Sequence, residues 1–201
     1  MLSQLDKWDS FYIIVGPAAG ALIGLQFVVM TLMAERPSPR VADASAAFST
    51  PTIVHFCVVL AVSALIRMPW ESLAPLIWIG GSIGALGVLY ALTTMRRMHR
   101  QAAYKPDFED WTFHGVLPLA SYAIYLTSAF LAARDLGDAL FATAGASLLL
   151  LFVSIHNAWD AVSYQVLVIR ARQDTDATGN VMAAQDDSAQ PSPGNDAPLP
   201  L

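Results

Sequence analysis

The stretch FYIIVGPAAGALIGLQFVVMTLMA, residues 11–34, contains 24 residues without one charged side chain. The hydrocarbon core of a bilayer is about 30 Å thick, and a helix needs about 20 apolar residues to cross it. Further apolar runs of comparable length follow at Phe48–Met68, Ser72–Met95, Trp111–Ala133 and Ala139–Ile169. The sequence therefore predicts an all-α integral membrane protein built as a bundle of five transmembrane helices.

Little of the chain lies outside these runs, and what does is mostly an acidic C-terminal segment. No Lys or Arg follows Arg172, whereas Asp174, Asp176, Asp186, Asp187 and Asp196 do. With few bulky apolar residues, such a segment cannot offset its ordering entropy by burial. We expect a five-span domain over residues 1–172 and a disordered acidic cytoplasmic tail over residues 173–201. The rest of the chain holds 11 basic and 11 acidic residues. No basic block indicates a nucleic-acid partner, and the expected partner is the lipid bilayer.

The basic residues of the connecting segments predict the orientation, because Lys and Arg concentrate on the cytoplasmic side of a membrane. The side of the N-terminus carries three, Lys7, Arg67 and Arg134. The opposite side carries eight: Arg36, Arg40, Arg96, Arg97, Arg100, Lys105, Arg170 and Arg172. We therefore expect an outside N-terminus, a cytoplasmic C-terminus and a location in the inner membrane of the cell.

Glycines recur at helical spacing in two of the runs. Gly16, Gly20 and Gly24 are four residues apart, and Gly80 and Gly84 repeat this spacing in the third run. Residues four apart share one helix face, so these glycines form a groove that a second helix can approach closely. We expect packing within the chain at these faces, with a homo-oligomer interface as the alternative.

Three of the four histidines fall inside separate apolar runs. His55 and His114 lie early in the second and fourth runs, and His156 lies late in the fifth, which crosses in the opposite direction. At 1.5 Å per residue, all three lie within roughly 15 Å of the cytoplasmic edge of the hydrocarbon. Polar side chains cost free energy in lipid, so they usually face the bundle interior or a wet cavity. The sequence therefore predicts a cytoplasm-facing polar pocket.

Further polar side chains accompany these histidines in the runs. The candidate pocket residues are Asn157, Asp160 and Tyr164 in the fifth run, Ser121 and Tyr125 in the fourth, and Gln26 in the first. Asp160 is the only acidic residue well inside an apolar run, and it lies four residues beyond His156. Since residues four apart share a helix face, we expect the Asp160 carboxylate beside the His156 imidazole.

Imidazoles and a carboxylate together form a ligand set suited to a transition metal, zinc or iron. His55, His114, His156 and Asp160 are the candidate metal ligands, and two of the histidines could instead be the axial ligands of a haem. Either group would favour an intramembrane enzyme that acts on a lipid-like substrate, with a metal-bound water as the reactive species. The chain has no His-x-x-x-His pair and no Cys-x-x-Cys-His motif, so no compact ligand motif accompanies the set.

The same residues also suit proton-linked transport, which is the interpretation that we prefer. Imidazole takes up and releases protons near neutral pH, and the hydroxyl groups of the fourth run could continue a hydrogen-bonded path outward. We therefore expect a small polytopic membrane protein that conducts protons, or couples transport to them, through the His/Asp pocket. Two alternatives remain, the metal- or haem-dependent enzyme and a non-catalytic membrane assembly partner whose polar groups serve packing alone.

Overall fold

The computed structural model describes the backbone of residues 3–34, 39–100 and 108–189, and the side chains of residues 3–31, 50–99 and 108–163. Throughout these segments the regular structure is helical, without a strand. The helices are α1 (Ser3–Asp6), α2 (Asp9–Ala34), α3 (Pro39–Ile66), α4 (Leu73–Arg100), α5 (Phe108–Trp111), α6 (Leu117–Ala132) and α7 (Leu136–Ala189). A π-helical turn, Thr112–Val116, joins α5 and α6 into one continuous helix.

Four helical segments of the described chain are long and apolar enough to cross a membrane. They are Asp9–Thr31, Leu73–His99, Phe108–Ala132 and Leu136–Ser163. The predicted second span, Phe48–Met68, falls on α3, and the apolar part of α3 with described side chains is the shorter Thr50–Ile66. The chain is thus a multi-pass helical membrane protein, and the count of five spans stays a prediction.

Helix α7 extends beyond its apolar part. Its backbone is helical through Ala189, although the sequence predicted a disordered tail from residue 173. Residues 173–189 contain no proline, so no residue there removes a backbone donor from the helix. Residues 163–201 form a unit separate from residues 1–162, and residues 190–201 lie outside the described chain. The domain boundary at residue 173 stays a prediction.

Two short connections, α3 to α4 and α6 to α7, are fixed by polar side chains. Arg67, just after α3, forms an ion pair with Asp9 at the start of α2 and also donates to the Asp9 carbonyl. Asp135 caps α7, because its Oδ1 accepts a hydrogen bond from the Asp138 N–H at 3.1 Å. These contacts define one end of the bundle, at which α2 begins, α3 and α6 end, and α4 and α7 begin.

The closest helix contact lies between α4 and α6, and two glycines permit it. A Cβ atom on Gly84 would lie 2.5 Å from the backbone nitrogen of Leu126. A Cβ atom on Gly87 would overlap the ring of Tyr122. Such distances are far shorter than any normal carbon contact, so α6 lies against the bare backbone of α4, as small residues allow in membrane proteins.

The other predicted glycine faces are mostly open. Gly16 packs against α3, where a Cβ would lie 3.0 Å from the Cβ of Ser63. No heavy atom of the described residues lies within 4 Å of a Cβ built on Gly20, Gly24 or Gly80. The intramolecular packing that the sequence predicted at these three positions is therefore not formed by the described side chains.

We predict that Gly84→Ala destabilises the protein by about 1–3 kcal/mol, because the added methyl group must separate the backbones of α4 and α6. Gly80→Ala is the matched control, one turn earlier on the same helix and in open space. Since alanine is the better helix former, the control should be neutral or more stable by up to about 1 kcal/mol. Denaturant or thermal unfolding in detergent measures both changes, and equal losses for the two variants would contradict this account of the interface.

Candidate functional site

A hydrogen bond between His55 of α3 and Tyr122 of α6 lies at the centre of the candidate site. The His55 Nδ1 atom is 2.8 Å from the Tyr122 hydroxyl oxygen. The two residues are only 2% and 0% exposed. Tyr90 of α4 lies edge-on to the imidazole, with the ring centres 6.2 Å apart. Because water does not reach these groups, the phenol and the imidazole satisfy each other, and three helices meet at one polar contact.

His114 lies in the π-helical turn, and Pro118 explains why the helix widens there. Proline has no N–H, so Pro118 cannot donate to the carbonyl group four residues earlier, which is that of His114. The Leu117 N–H instead donates to the carbonyl of Thr112, five residues earlier. His114 is 6% exposed within this turn. Single π turns inside α-helices are frequent at functional sites, which makes this turn a candidate.

His114 is the histidine that lies near both of the others. It is close enough to His55 for their charges to interact, and likewise close to His156, Asp110 and Asp160. His55 and His156 therefore both lie within range of electrostatic interaction with His114.

His156 pairs with a carboxylate that the sequence did not single out. Its Nε2 atom lies 3.3 Å from the Glu109 Oε1 atom, and the side chains are 28% and 71% exposed. The His156 imidazole also stacks on the ring of Phe113, with centres 3.6 Å apart and planes 21° from parallel. Asp160, the expected partner, is exposed. Helix α5 begins at Phe108, earlier than the predicted run, and this start brings Glu109 to His156.

Asn157, the next residue on α7, contacts the π-helical turn through its amide. Its Nδ2 atom donates to the Phe113 carbonyl oxygen at 3.2 Å, and the residue is 3% exposed. Its Oδ1 atom is buried without a hydrogen-bond partner among the described residues. Two consecutive residues of α7 thus hold the same turn, His156 through the Phe113 ring and Asn157 through the Phe113 backbone.

The hydroxyl groups predicted to extend the path, those of Ser121 and Tyr125, differ in their hydrogen-bond partners. Ser121 donates to the carbonyl of Leu117 in its own helix at 3.0 Å. The Tyr125 hydroxyl lies 2.9 Å from the Ser147 Oγ atom of α7. Of the two, Tyr125 alone joins different helices through the bonds described.

For two further predicted pocket residues the structure describes no bond to the histidines. Gln26 is buried in α2, and no described hydrogen bond joins it to the histidines. The side chain of Tyr164 lies outside the described residues.

The predicted metal site is not assembled by the described side chains, whereas the haem alternative, which needs only two histidines, stays a prediction. Among them, no three His, Cys, Asp or Glu residues form a group that could hold a metal ion. His55, His114, His156 and Asp160 are therefore not gathered around one point. The only cysteine, Cys57, is exposed and lies apart from any such group.

A cavity of about 70 Å³ lies toward the opposite end of the bundle from the histidines. Its walls come from the end of α3, the start of α4, the end of α6 and the start of α7, and most of them are aliphatic. Three hydroxyl-bearing side chains also line it, those of Tyr125, Ser128 and Thr143. Tyr125 therefore links the cavity to the interior, since its hydroxyl contacts Ser147 and its ring lies 6.4 Å from that of Tyr122.

Sequence reasoning missed Tyr122 and Glu109, the residues that complete the hydrogen bonds of His55 and His156. Tyr122 had a usable signal, because it is four residues after Pro118, which itself is four after His114. Glu109 had none, because it lies beyond the apolar run and pairs only through tertiary packing.

Comparison with known proteins adds no assignment. No protein-family description matches the chain, and no curated protein and no solved structure matches it either. The function must therefore be argued from the residues themselves.

We predict that Tyr122→Phe lowers the free energy of unfolding by about 1–3 kcal/mol, because it leaves the buried His55 Nδ1 without its partner. Tyr90→Phe is the control, since Tyr90 touches the same imidazole by its ring edge alone. The control should change stability by less than about 0.5 kcal/mol. Unfolding curves in the same detergent decide between the two, and a neutral Tyr122→Phe would show that the hydrogen bond contributes nothing.

Proposed function

We propose that this protein moves protons across a membrane through a buried column of imidazole and hydroxyl groups. The observation that carries the proposal is the buried 2.8 Å hydrogen bond between His55 and Tyr122. A polar pair in the interior of a membrane bundle is costly unless it serves packing or function. Further titratable groups lie on the His55 side of this pair, and a cavity lined by a tyrosine lies on the Tyr122 side.

The chemistry of the column fits proton relay. An imidazole can accept a proton on one ring nitrogen and release another from the second nitrogen. A phenol can accept a proton on its oxygen while it donates its own. Glu109, 71% exposed, provides the entry and pairs with His156, and further along the column His55 bonds to Tyr122. We place His114 between these two pairs, within electrostatic range of both histidines, and bridging water completes the steps.

Beyond Tyr122 the column continues through Tyr125 toward the cavity. No described hydrogen bond joins the two tyrosines, so a bridging water completes this step. The cavity of about 70 Å³, which Tyr125 lines and Tyr122 does not, lies beyond this step and has room for water of its own. The wall of this outer part is largely aliphatic.

The proposed topology has five spans, an outside N-terminus and a cytoplasmic C-terminus in the inner membrane, as the basic residues of the connections indicate. In this orientation Glu109 and the three histidines face the cytoplasm and the cavity faces outward. A homo-oligomer through the open Gly20 and Gly24 positions stays a prediction for crosslinking in membranes.

Proton flux into proteoliposomes, driven by a membrane potential and followed with an enclosed pH dye, tests the function. Tyr122→Phe should lower the flux about a hundredfold, because it removes the hydroxyl that continues the path from His55. Ser121→Ala is the matched control, an adjacent hydroxyl that bonds only to its own helix. It should keep the flux of the unchanged protein. Flux no higher than in protein-free vesicles, or equal loss in both variants, would contradict the proposal.

Reporter fusions test the topology. A fusion after Leu201 should be active with a reporter that works in the cytoplasm and silent with one that works outside. A fusion at Arg134, in the connection between α6 and α7, should give the opposite pattern. The same pattern at both positions would contradict the proposed crossing of α7.

A further inference from the structure

Pro118 creates a second hydrogen-bonding problem, at the carbonyl group of Phe113. In a regular α-helix this carbonyl would accept from the Leu117 N–H, but that N–H donates to Thr112. In the wider π register the donor would be residue 118, and proline has none. An unsatisfied carbonyl inside the hydrocarbon layer costs several kcal/mol, so the Phe113 carbonyl needs a donor from outside its own helix.

Asn157 supplies that donor. Its Nδ2 atom lies 3.2 Å from the Phe113 oxygen, and Asn157 itself is 3% exposed. An amide does not titrate, and one of its N–H groups is already engaged with the backbone. Asn157 is therefore poorly suited to be a member of the proton column, although the sequence placed it there.

The π-helical turn determines which side chains of α5 face the bundle. One extra residue in a turn rotates the preceding segment by about 100° relative to an uninterrupted helix. Glu109 lies before the turn, and Phe113 and His114 lie within it. A return to a regular helix would turn Glu109 and the Phe113 ring away from His156 and move His114 from its buried position.

We infer that Asn157 is a positioning residue, which stabilises the π-helical turn through the Phe113 carbonyl and so directs His114 into the bundle. The effect on proton movement rests on the proposed function. The effect on the turn itself does not, because it follows from the hydrogen bonds alone.

A double-mutant cycle tests the inference. Pro118→Ala restores a backbone N–H at residue 118, so the Phe113 carbonyl regains a backbone donor in either helical register. Asn157→Leu should therefore raise the equilibrium constant for unfolding roughly tenfold in the unchanged background, and far less beside Pro118→Ala. The control is Ser154→Ala, one turn earlier on α7, because the Ser154 hydroxyl donates to a carbonyl of its own helix. This control should show no coupling to Pro118→Ala. If Asn157→Leu does not fold, Asn157→Ala removes the same donor in a smaller side chain without adding a titratable group. Equal effects in both backgrounds would overturn the inference.

The position of His114 gives a second readout that a general loss of stability would not reproduce. Diethyl pyrocarbonate modifies exposed imidazoles, so His114 should be protected in the folded protein while the exposed His99 reacts. In folded Asn157→Leu, His114 should react several-fold faster with His99 unchanged, and Ser154→Ala should keep the protection. Unchanged protection of His114 would overturn the inference. Faster modification of His114 with no proton flux in the unchanged protein would support the inference and refute the proposed function instead.

Discussion

Inside a bilayer no water is at hand to complete a hydrogen bond, so each polar group has to find its partner within the protein. The segment around Pro118 shows how far this constraint reaches. One missing N–H widens the helix, the widened turn leaves the Phe113 carbonyl without a local donor, and Asn157 of another helix supplies it. The directions of His114 and Phe113 follow from this exchange.

The same constraint separates the short polar side chains from the long ones. Ser121, Ser128 and Ser154 each donate to a carbonyl four residues earlier, so their hydroxyls are satisfied without leaving the helix. The rigid ring of a tyrosine carries its hydroxyl too far from its own backbone for such a bond. Tyr122 and Tyr125 therefore bond to side chains of other helices, His55 and Ser147. In this bundle these two tyrosines connect helices.

Composition and periodicity predicted the helical membrane class and the placement of the histidines toward one end, because both depend on local sequence. They did not predict contacts that depend on how helices cross. Spacing by four pointed to Gly80 and Gly84, whereas the close approach to α6 occurs at Gly84 and Gly87. Both spacings share a helix face, and the crossing of the partner helix selects between them. The pairing of His156 with Glu109 could not be predicted from the sequence either, since it depends on where α5 begins.

The bare backbone at Gly87 has a consequence for the motion of Tyr122. The Tyr122 ring packs against the main chain at Gly87. Because glycine has no side chain, no rotamer change at this position can make room for the ring to turn. The Tyr122 side chain therefore loses its conformational entropy when the helices assemble, and its hydrogen bond to His55 requires no further ordering of the ring. Such preorganisation keeps the Tyr122 oxygen aimed at the His55 imidazole.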